Sequence, residues 1–593
     1  MKKILLSLSL LCVTLGALAS VVPSDKAYDV AQRFMGSTDL VEVWDGHETG
    51  AKASRDPAFR VFNVKGGGWV IVSGDDCTVP ILAYSDTGAF VEESIPPSMR
   101  WWLESMRDSI LEARSKQKDA GDQIQEKWNH PERIDTKAGG TRKQLDTPAW
   151  GQEYPYNSLL SQYVTMNGVG VENLLAGCVA TAMAELLRFY RWPEHGLGTL
   201  PSYTTDSKKY SVSGFSIDDH IYDWDNMPMS FDASSTETQK AAVAQLMLDC
   251  GVMVQMDYRT DADGGSGAFV ESIIPAMIEH FGYSRSAVIE ERGNYTDEAW
   301  LRMIKEDIDK DQPVLYSGYT DNYQLNGHQF ICDGYDLSEQ RLHINWGWNG
   351  EHNNAWFTLA LSTESGVFSK GQAAIFGLAP DRDNSSTYPN PVLSIETDPD
   401  GGQVNGVSVS SGRFASGETF TVDAGSFFNN SYGIEYNGAV KAVLVDKDGN
   451  IKQDASEAVD MTGLAARERR SLEGIVCSVG NVSFGDRIKF LYRLNDNSWT
   501  TVQTNSDDFS YPWQLAYVDA CFIKTRTSYR TGDKFVFAII PGNKGISSIA
   551  WTYDGSPVSA ASVTLSSGTH TVSAELTFSD GTAETITQVL EVN

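Results

Sequence analysis

Hydrophobic and polar residues follow different periods in successive parts of this chain. Between residue 20 and about residue 115, apolar runs such as Trp69–Val72 and alternating runs such as Phe59–Phe62 predict β-strands. Ser98–Ala113 instead repeats its apolar residues at helical spacing and predicts an amphipathic helix. Arg114–Lys143 has few apolar residues, so this stretch is predicted to be an exposed linker that is open to proteolysis.

The pattern changes twice more towards the carboxyl terminus. Residues 145–380 mix helical and strand periods and predict an α/β region, and residues 381–391 have the composition of a second linker. Short alternating runs such as Val440–Val445 and Lys534–Ala538 then recur between Gly, Asn and Asp turns. This spacing is typical of β-sandwich modules, and the remaining length suits two of them, dividing near Tyr511.

The first nineteen residues have the layout of a secretory signal peptide. Lys2 and Lys3 precede an apolar run over Ile4–Leu18, and the small residues before Ser20 predict cleavage after Ala19. The run is shorter than the ~20 residues that a membrane-spanning helix needs. We therefore expect an exported protein without a membrane span.

Charge and cysteine content exclude several classes of protein. The formal net charge of −31 predicts repulsion from nucleic acids and anionic membranes. The seven cysteines are scattered without CxxC spacing, so neither a disulfide scaffold nor a zinc ribbon is predicted. A pairing of Cys477 with Cys521 stays open.

A cysteine at the start of an apolar helix is the first chemical signal. After Gly177, the apolar residues from Val179 to Tyr190 repeat at three- and four-residue steps, which places Cys178 at the helix amino terminus. Free N–H groups there stabilise a thiolate and help to bind an oxyanion. A buried, inert core cysteine is the alternative.

Two histidine-containing segments supply the second signal. The segments around His328 and Leu342–Trp348 are predicted to form a β-hairpin, which places Asn345 beside His328. A cysteine peptidase needs a base near its thiol and a third side chain that orients the imidazole. Trp346 is predicted to shield that contact from water. Ordinary core histidines are the alternative interpretation.

These motifs resemble those of the streptopain family of papain-like bacterial cysteine peptidases. The resemblance is carried by residues 176–193 around the cysteine, by residues 327–336 and 343–350, and by residues 150–157 upstream. Residues 68–76 and 95–99 resemble the family's propeptide, and the Gly-rich residues 263–268 resemble a region expected near the substrate cleft.

The resemblance implies a complete set of site residues. It makes Cys178 the nucleophile, His328 the base, Asn345 its orienter and Gln152 the side-chain donor of the oxyanion hole. Trp346 covers the contact between His328 and Asn345. No metal and no organic cofactor are implied.

The predicted fold class is multidomain. An α+β propeptide domain precedes an α+β papain-like catalytic domain, and one or two all-β immunoglobulin-like sandwich modules follow. The expected boundaries are a signal peptide at 1–19, a propeptide with its linker at 20–143, the peptidase domain at 144–385, and β-modules at 390–511 and 512–593. The propeptide is expected to be cut from the catalytic domain at Lys137 to Lys143.

The resulting functional prediction is a secreted or cell-surface bacterial cysteine endopeptidase made as a zymogen. Its expected partners are protein or peptide substrates and its own propeptide, which acts as an intramolecular inhibitor; nucleic acid is not expected. Two alternatives stay open. One is a papain-fold amidase or transglutaminase, and the other is an adhesin or glycan-binding protein with a vestigial peptidase domain.

Overall fold

The computed structural model describes most of the chain after residue 19. Outside the described residues lie 1–19, 47–55, 116–120, 134–140, 319–326, 351–353, 360–370, 396–405, 410–416, 418, 447–448, 481, 483–485, 496, 505–513, 516–521, 524–528, 541–544, 580 and 593. The predicted signal peptide and Cys521 fall in these gaps. The chain divides into two compact units, Met1–Pro389 and Asn390–Asn593.

The first unit combines helices with one large sheet. Its helices are α1 (Ser24–Met35), α2 (Pro97–Ser115), α3 (Gly121–Asn129), α4 (Leu160–Tyr163), α5 (Cys178–Tyr190), α6 (Glu237–Met253), α7 (Ile273–Phe281) and α8 (Asp297–Asp309). Its strands are β1 (Leu40–Trp44), β2 (Phe59–Val64), β3 (Trp69–Ser73), β4 (Ile81–Ser85), β5 (Arg142–Gln144), β6 (Val164–Met166), β7 (Val169–Gly170), β8 (Thr199–Leu200), β9 (Tyr203–Thr204), β10 (Ser211–Val212), β11 (Phe215–Ser216), β12 (Val288–Glu291), β13 (Val314–Gly318), β14 (His328–Asp336), β15 (Arg341–Asn345), β16 (Ala355–Thr358) and β17 (Gln372–Phe376).

One antiparallel sheet crosses the predicted boundary between propeptide and peptidase domain. Its order is β1-β2-β3-β4-β16-β15-β14-β13-β17-β12, and β5 pairs with the far end of β14. The junction is the pair β4–β16, where Tyr84 faces Trp356 and Ala83 faces Phe357. Strands β3 and β4 are buried at every position, which explains their continuous apolar sequence.

A shared hydrophobic core reinforces this junction. Helix α2 buries Trp102 against strands of the catalytic region, with ring centroids 6.0 Å from Phe330, 5.8 Å from Trp346 and 5.9 Å from Phe357. The helix was predicted from its apolar period, and its buried face carries those apolar residues. The amino-terminal region and the catalytic region therefore form one folding unit.

The prediction of an exposed linker over Arg114–Lys143 is wrong for its described parts. Helix α3 buries Ile124 and Trp128, and the Trp128 indole donates to the Thr78 carbonyl over 2.8 Å. Arg114 pairs with the buried Asp75 over 2.8 Å. Apolar residues spaced four apart can anchor a helix when an existing layer receives them, and a count of apolar residues misses this.

The second unit is built from strands in its described residues. They are β18 (Leu393–Ile395), β19 (Gly406–Val409), β20 (Thr419–Asn429), β21 (Gly438–Val445), β22 (Ile451–Asp454), β23 (Val459–Asp460), β24 (Arg469–Ser478), β25 (Arg487–Leu494), β26 (Thr500–Thr501), β27 (Gln503–Thr504), β28 (Gln514–Leu515), β29 (Phe522–Ile523), β30 (Lys534–Val536), β31 (Ile539–Ile540), β32 (Ile546–Tyr553), β33 (Ser556–Val558), β34 (Ser562–Thr564), β35 (Gly568–Phe578) and β36 (Ala583–Val592).

These strands enclose two separate cores. A sheet containing β20 and a sheet containing β21 and β25 share the first core, in which the rings of Phe427 and Phe490 are 5.3 Å apart. The second core is built on β35 and includes Phe535 and Leu576. The all-β prediction agrees with this arrangement, and the immunoglobulin-like topology stays a prediction. Because β28 pairs with β25, the first module extends beyond the predicted division near Tyr511.

Within the described residues, no helix combines the length and apolar character needed to cross a membrane.

Candidate active site

Cys178 is the first residue of α5, as the sequence predicted. The preceding residue, Gly177, has φ 93°, and a Cβ there would lie 2.6 Å from the sulfur of Met256. Only glycine tolerates both this backbone conformation and this close approach. The turn therefore delivers the half-buried Cys178 side chain to the helix amino terminus.

Opposing influences act on the Cys178 thiol. Burial raises its pKa, while the backbone N–H groups of Gln329, Val179 and Cys178 itself favour the thiolate and lower it. Burial dominates, so the pKa of the thiol lies above its usual value in this structure. The contact with the Gln329 N–H places the sulfur beside the residue that directly follows His328.

His328 begins β14 and is also held in its neutral form. Burial lowers the pKa of its imidazole from 6.5 to about 4. No hydrogen bond joins the imidazole to the Cys178 sulfur within the described part of the chain. Both members of the predicted catalytic pair are therefore uncharged near neutral pH in this state of the protein.

The strand register explains why Asn345 does not pair with His328. Asn345 faces Ile331 across β14 and β15, so these two side chains share one face of the sheet. Phe330 and Trp346 lie together on the other face, with ring centroids 4.7 Å apart. Alternation along β14 assigns His328 to the face of Phe330, which α2 covers through Trp102.

Asn345 lies in the predicted hairpin, but its hydrogen bonds lead away from His328. Its Nδ2 donates to the Pro148 carbonyl over 2.6 Å and to Thr147 Oγ1 over 3.1 Å, and its Oδ1 accepts from the Gly347 N–H over 3.1 Å. Trp346 is fully buried and packs on aromatic rings of the shared core. The structure therefore does not bring Asn345 or Trp346 to a His328 hydrogen bond.

Gln152 is placed next to the nucleophile by its backbone. Its carbonyl accepts from the Ala176 N–H over 2.9 Å, two residues before Cys178, and its side chain is buried. The Gly-rich segment lies on the other side, where Ser266 Oγ donates to the Leu175 carbonyl over 2.7 Å. The loop that carries Cys178 is thus held between these two segments.

Two parts of this chain match known protein families. Residues 150–357 match the model of the Peptidase C10 family, and residues 19–110 match that of the Spi protease inhibitor. The chain resembles the Peptidase C10 family over residues 150–357. It is a cysteine peptidase with a propeptide-like inhibitor region before its catalytic domain.

Similar proteins include two curated proteins and one solved fragment. Streptopain of Streptococcus pyogenes serotype M1 is 29% identical over 351 residues, which cover 54% of this chain and 80% of streptopain. The thiol protease/hemagglutinin PrtT of Porphyromonas gingivalis is 26% identical over 414 residues, 67% of this chain and 46% of that protein. A prointerpain A fragment of Prevotella intermedia is 27% identical, with a TM-score of 0.44 over 60% of this chain and 99% of the fragment.

The inhibitor-like region touches the strands that position His328. Trp101 of α2 packs so closely on Gly318 that a Cβ there would lie 2.1 Å from the tryptophan Cη2. Gly318 faces His328 across β13 and β14. The amino-terminal region therefore lies directly against the strand pair that carries the predicted base.

Glu185 is a buried residue near the site that the sequence analysis missed. It lies on α5, two turns after Cys178, and is fully buried. The available signal was a charged residue within an otherwise apolar helix segment, Ala182–Leu187.

Proposed function

We propose that the chain is a secreted cysteine endopeptidase made as a zymogen, with Cys178 as nucleophile and His328 as base. The observation that carries this proposal is the position of the Cys178 sulfur, at the amino terminus of α5 and against the backbone N–H that follows His328. The expected substrates are proteins or peptides.

The proposed chemistry is acyl transfer through a thioester. In the released enzyme, His328 accepts the Cys178 proton, and the thiolate attacks the carbonyl carbon of the scissile peptide bond. The Gln152 amide and the Cys178 N–H donate to the oxyanion that develops. His328 then protonates the departing amine, and a water molecule, deprotonated by His328, hydrolyses the thioester and regenerates the thiol.

Asn345 has two roles in the proposed mechanism. Its Nδ2 holds residues 147 and 148 at the entrance to the segment that carries Gln152. Its Oδ1 accepts one hydrogen bond and, as an amide oxygen, has a second lone pair for the His328 ring. Trp346 would then shield that bond.

Latency follows from the state of the two catalytic groups. A thiol with a raised pKa and an imidazole with a lowered pKa do not form the thiolate–imidazolium pair that attack requires. Helix α2 covers the face of the sheet to which His328 belongs. We infer that departure of the amino-terminal region lets the His328 segment turn towards Cys178.

The structure narrows the predicted cleavage interval. Residues 141–145 are hydrogen-bonded along β14, and Lys143 Nζ donates to Asp311 over 2.7 Å. On the other side, Arg133 donates to Tyr84 over 3.0 Å. Backbone pairing protects a segment from proteolysis, so within the expected interval from Lys137 to Lys143 we expect the cut on the amino-terminal side of Thr141.

The test compares the precursor with its Cys178→Ala variant under reducing conditions, on denaturing gels and in casein digestion. The wild type should shorten by roughly 120 residues, from Ser20 to the interval 134–140, and gain caseinolysis. The variant should stay intact and inert. Amino-terminal sequencing of the shortened product locates the cut.

Other outcomes would overturn specific parts of the proposal. Equal casein digestion by Cys178→Ala would exclude Cys178 as the nucleophile. A wild type that cuts nothing after trypsin opens the interval 134–140 would exclude the zymogen proposal. The amidase and adhesin alternatives would then come first.

A further inference from the structure

We propose that Glu185 is a positioning residue for the peptidase reaction, which holds the Trp150–Gln152 segment so that Gln152 stands beside Cys178. This inference rests on the proposed function and extends it to a group that does not touch the substrate.

Cys178, Thr181 and Glu185 are spaced at three and four residues, so they form one stripe on α5. The stripe runs under the backbone of the oxyanion segment. Thr181 Oγ1 lies 3.5 Å from the Gly151 carbonyl and donates to the Gly177 carbonyl over 3.0 Å. One turn further on, Glu185 Oε1 accepts from the Trp150 N–H over 2.8 Å.

Several hydrogen bonds and close contacts hold the Trp150–Gln152 segment, and Glu185 on α5 supplies one of them. The Trp150 carbonyl accepts from the Asn349 N–H over 2.7 Å, and a Cβ on Gly151 would lie 2.6 Å from Asn349 Oδ1. The indole of Trp150 donates to the Pro228 carbonyl over 2.9 Å. Loss of the Glu185 contact leaves the Trp150 N–H buried without its acceptor and loosens the residue two before Gln152.

Glu185 accepts a hydrogen bond from one N–H group, and burial of its carboxyl group carries a desolvation penalty. The side chain is fully buried, and within the described residues its second oxygen, Oε2, accepts no hydrogen bond of normal geometry, although the Asn345 amide is near enough to favour the charged form. Burying a carboxyl group without a cation costs free energy, so general stability does not explain this residue. A buried, incompletely satisfied acid beside a reactive centre is typical of functional sites.

The surroundings keep Glu185 in its neutral form. Burial raises the pKa of its carboxyl group well above the usual value, against the effects of the Trp150 N–H and the Asn345 amide, while the negative Asp333 raises it further. The neutral acid accepts from Trp150 without placing a negative charge beneath the developing oxyanion, which a carboxylate would repel.

The inference is tested with Glu185→Gln and Glu185→Ala, after self-processing of each full-length precursor. The glutamine is neutral and keeps an acceptor oxygen, so its kcat on a peptide substrate should stay within about threefold of the wild type. The alanine leaves the buried Trp150 N–H without its acceptor, so kcat should fall about tenfold or more with KM little changed. At alkaline pH, the wild type should lose activity that Glu185→Gln keeps.

Asp249→Asn is the matched control. Asp249 is another buried acid with a raised pKa, on α6, where it accepts hydrogen bonds from Tyr222 and His220. Its substitution should leave the pH profile of kcat unchanged. Cys178→Ala, assayed in parallel, tests the proposed function separately, because it must be inert whatever the Glu185 variants do.

An infrared difference spectrum between wild type and Glu185→Gln at neutral pH gives a readout independent of turnover. It should contain the C=O stretch of a protonated carboxyl group, and this remains measurable if Glu185→Ala does not fold. A folded Glu185→Ala enzyme with wild-type kcat would overturn the positioning role. Absence of the protonated carboxyl band would overturn the neutral-acid role.

Discussion

The amino-terminal region and the carboxy-terminal unit flank the same catalytic domain and are built on opposite principles. The first continues the catalytic sheet through β4 and β16 and places Trp102 in the catalytic core. The second encloses its own two cores in its described residues. The region that we propose to inhibit the enzyme and then to be released shares packing with it, whereas each appended module is stabilised by its own internal packing. Perturbations of the first should change both stability and latency.

The largest expected effect comes from Trp102→Ala. Removal of this buried ring should lower the free energy of unfolding of the precursor by about 3–5 kcal/mol. Urea unfolding measures this in the uncut Cys178→Ala background. With Cys178 intact, the same variant should process itself faster than the wild type, because fewer contacts hold α2 on the catalytic sheet.

Leu111→Ala is the control on the same helix. Leu111 is 41% exposed, so its truncation should change the free energy of unfolding by only about 0.5 kcal/mol. Equal destabilisation by the two variants would show that α2 does not depend on the shared core.

The second effect is acid destabilisation of the precursor through His328. The folded protein lowers the pKa of this imidazole from 6.5 to about 4, so protonation favours the unfolded state. The contribution of His328 is fully present above pH 6.5 and is lost as the pH falls towards 4. A difference of about 2.5 pKa units corresponds to at most about 3.4 kcal/mol.

Urea midpoints at pH 7, 5.5 and 4 measure this effect in the Cys178→Ala background with and without His328→Gln. The variant should lose less stability than its parent between pH 6.5 and 4. Parallel pH dependences would contradict the burial of a neutral His328 in the precursor.

Local patterns were sufficient to predict some parts of the site and not others. Helical and strand periods placed Cys178 at the start of α5 and His328 in a hairpin with Asn345, because both features depend on neighbouring residues. The face on which Asn345 lies depends on the register of β14 and β15. A bulge between Cys332 and Gly334 shifts that register, and the sequence pattern does not indicate the bulge.

Long-range packing accounts for most of what the sequence did not predict. Helix α3 forms because the amino-terminal layer receives Trp128, although its own segment is mostly polar. Glu185 acquires its importance from Trp150, thirty-five positions away. Neither contact leaves a periodic signal in the chain.

A smaller effect of opposite sign is expected in the carboxy-terminal unit. The His570 ring lies between Asp554, 2.7 Å from Nδ1, and the Ser566 carbonyl, 2.9 Å from Nε2. These acceptors raise the pKa of His570, Asp554 first. Its stabilising contribution is therefore present below pH 6.5 and lost as the pH rises through the raised pKa. Because Asp554 is exposed, we expect about 1 kcal/mol or less.

Thermal melts of fragment 390–593 over pH 5 to 9 measure this effect, with Asp554→Asn compared with Glu575→Gln. Both substitutions remove one exposed carboxylate from the same sheet, and Asp554 alone contacts His570. Only Asp554→Asn should flatten the pH dependence of the Tm. An equal response of the two variants would assign the effect to net charge.

The smallest effect is expected from removal of the carboxy-terminal unit itself. A chain ending at Pro389 keeps Gln152, Cys178, His328 and the region that inhibits them, because all of them belong to the first compact unit. Its processing rate and the kcat on a short peptide should equal those of the full chain within about twofold. A Trp102→Ala substitution in the shortened chain should cost the same free energy as in the full chain, since distant and independent changes are additive. A loss of peptide hydrolysis on truncation would show that the β-modules take part in catalysis. The separate hydrophobic cores of the carboxy-terminal unit would then not indicate that it is functionally independent.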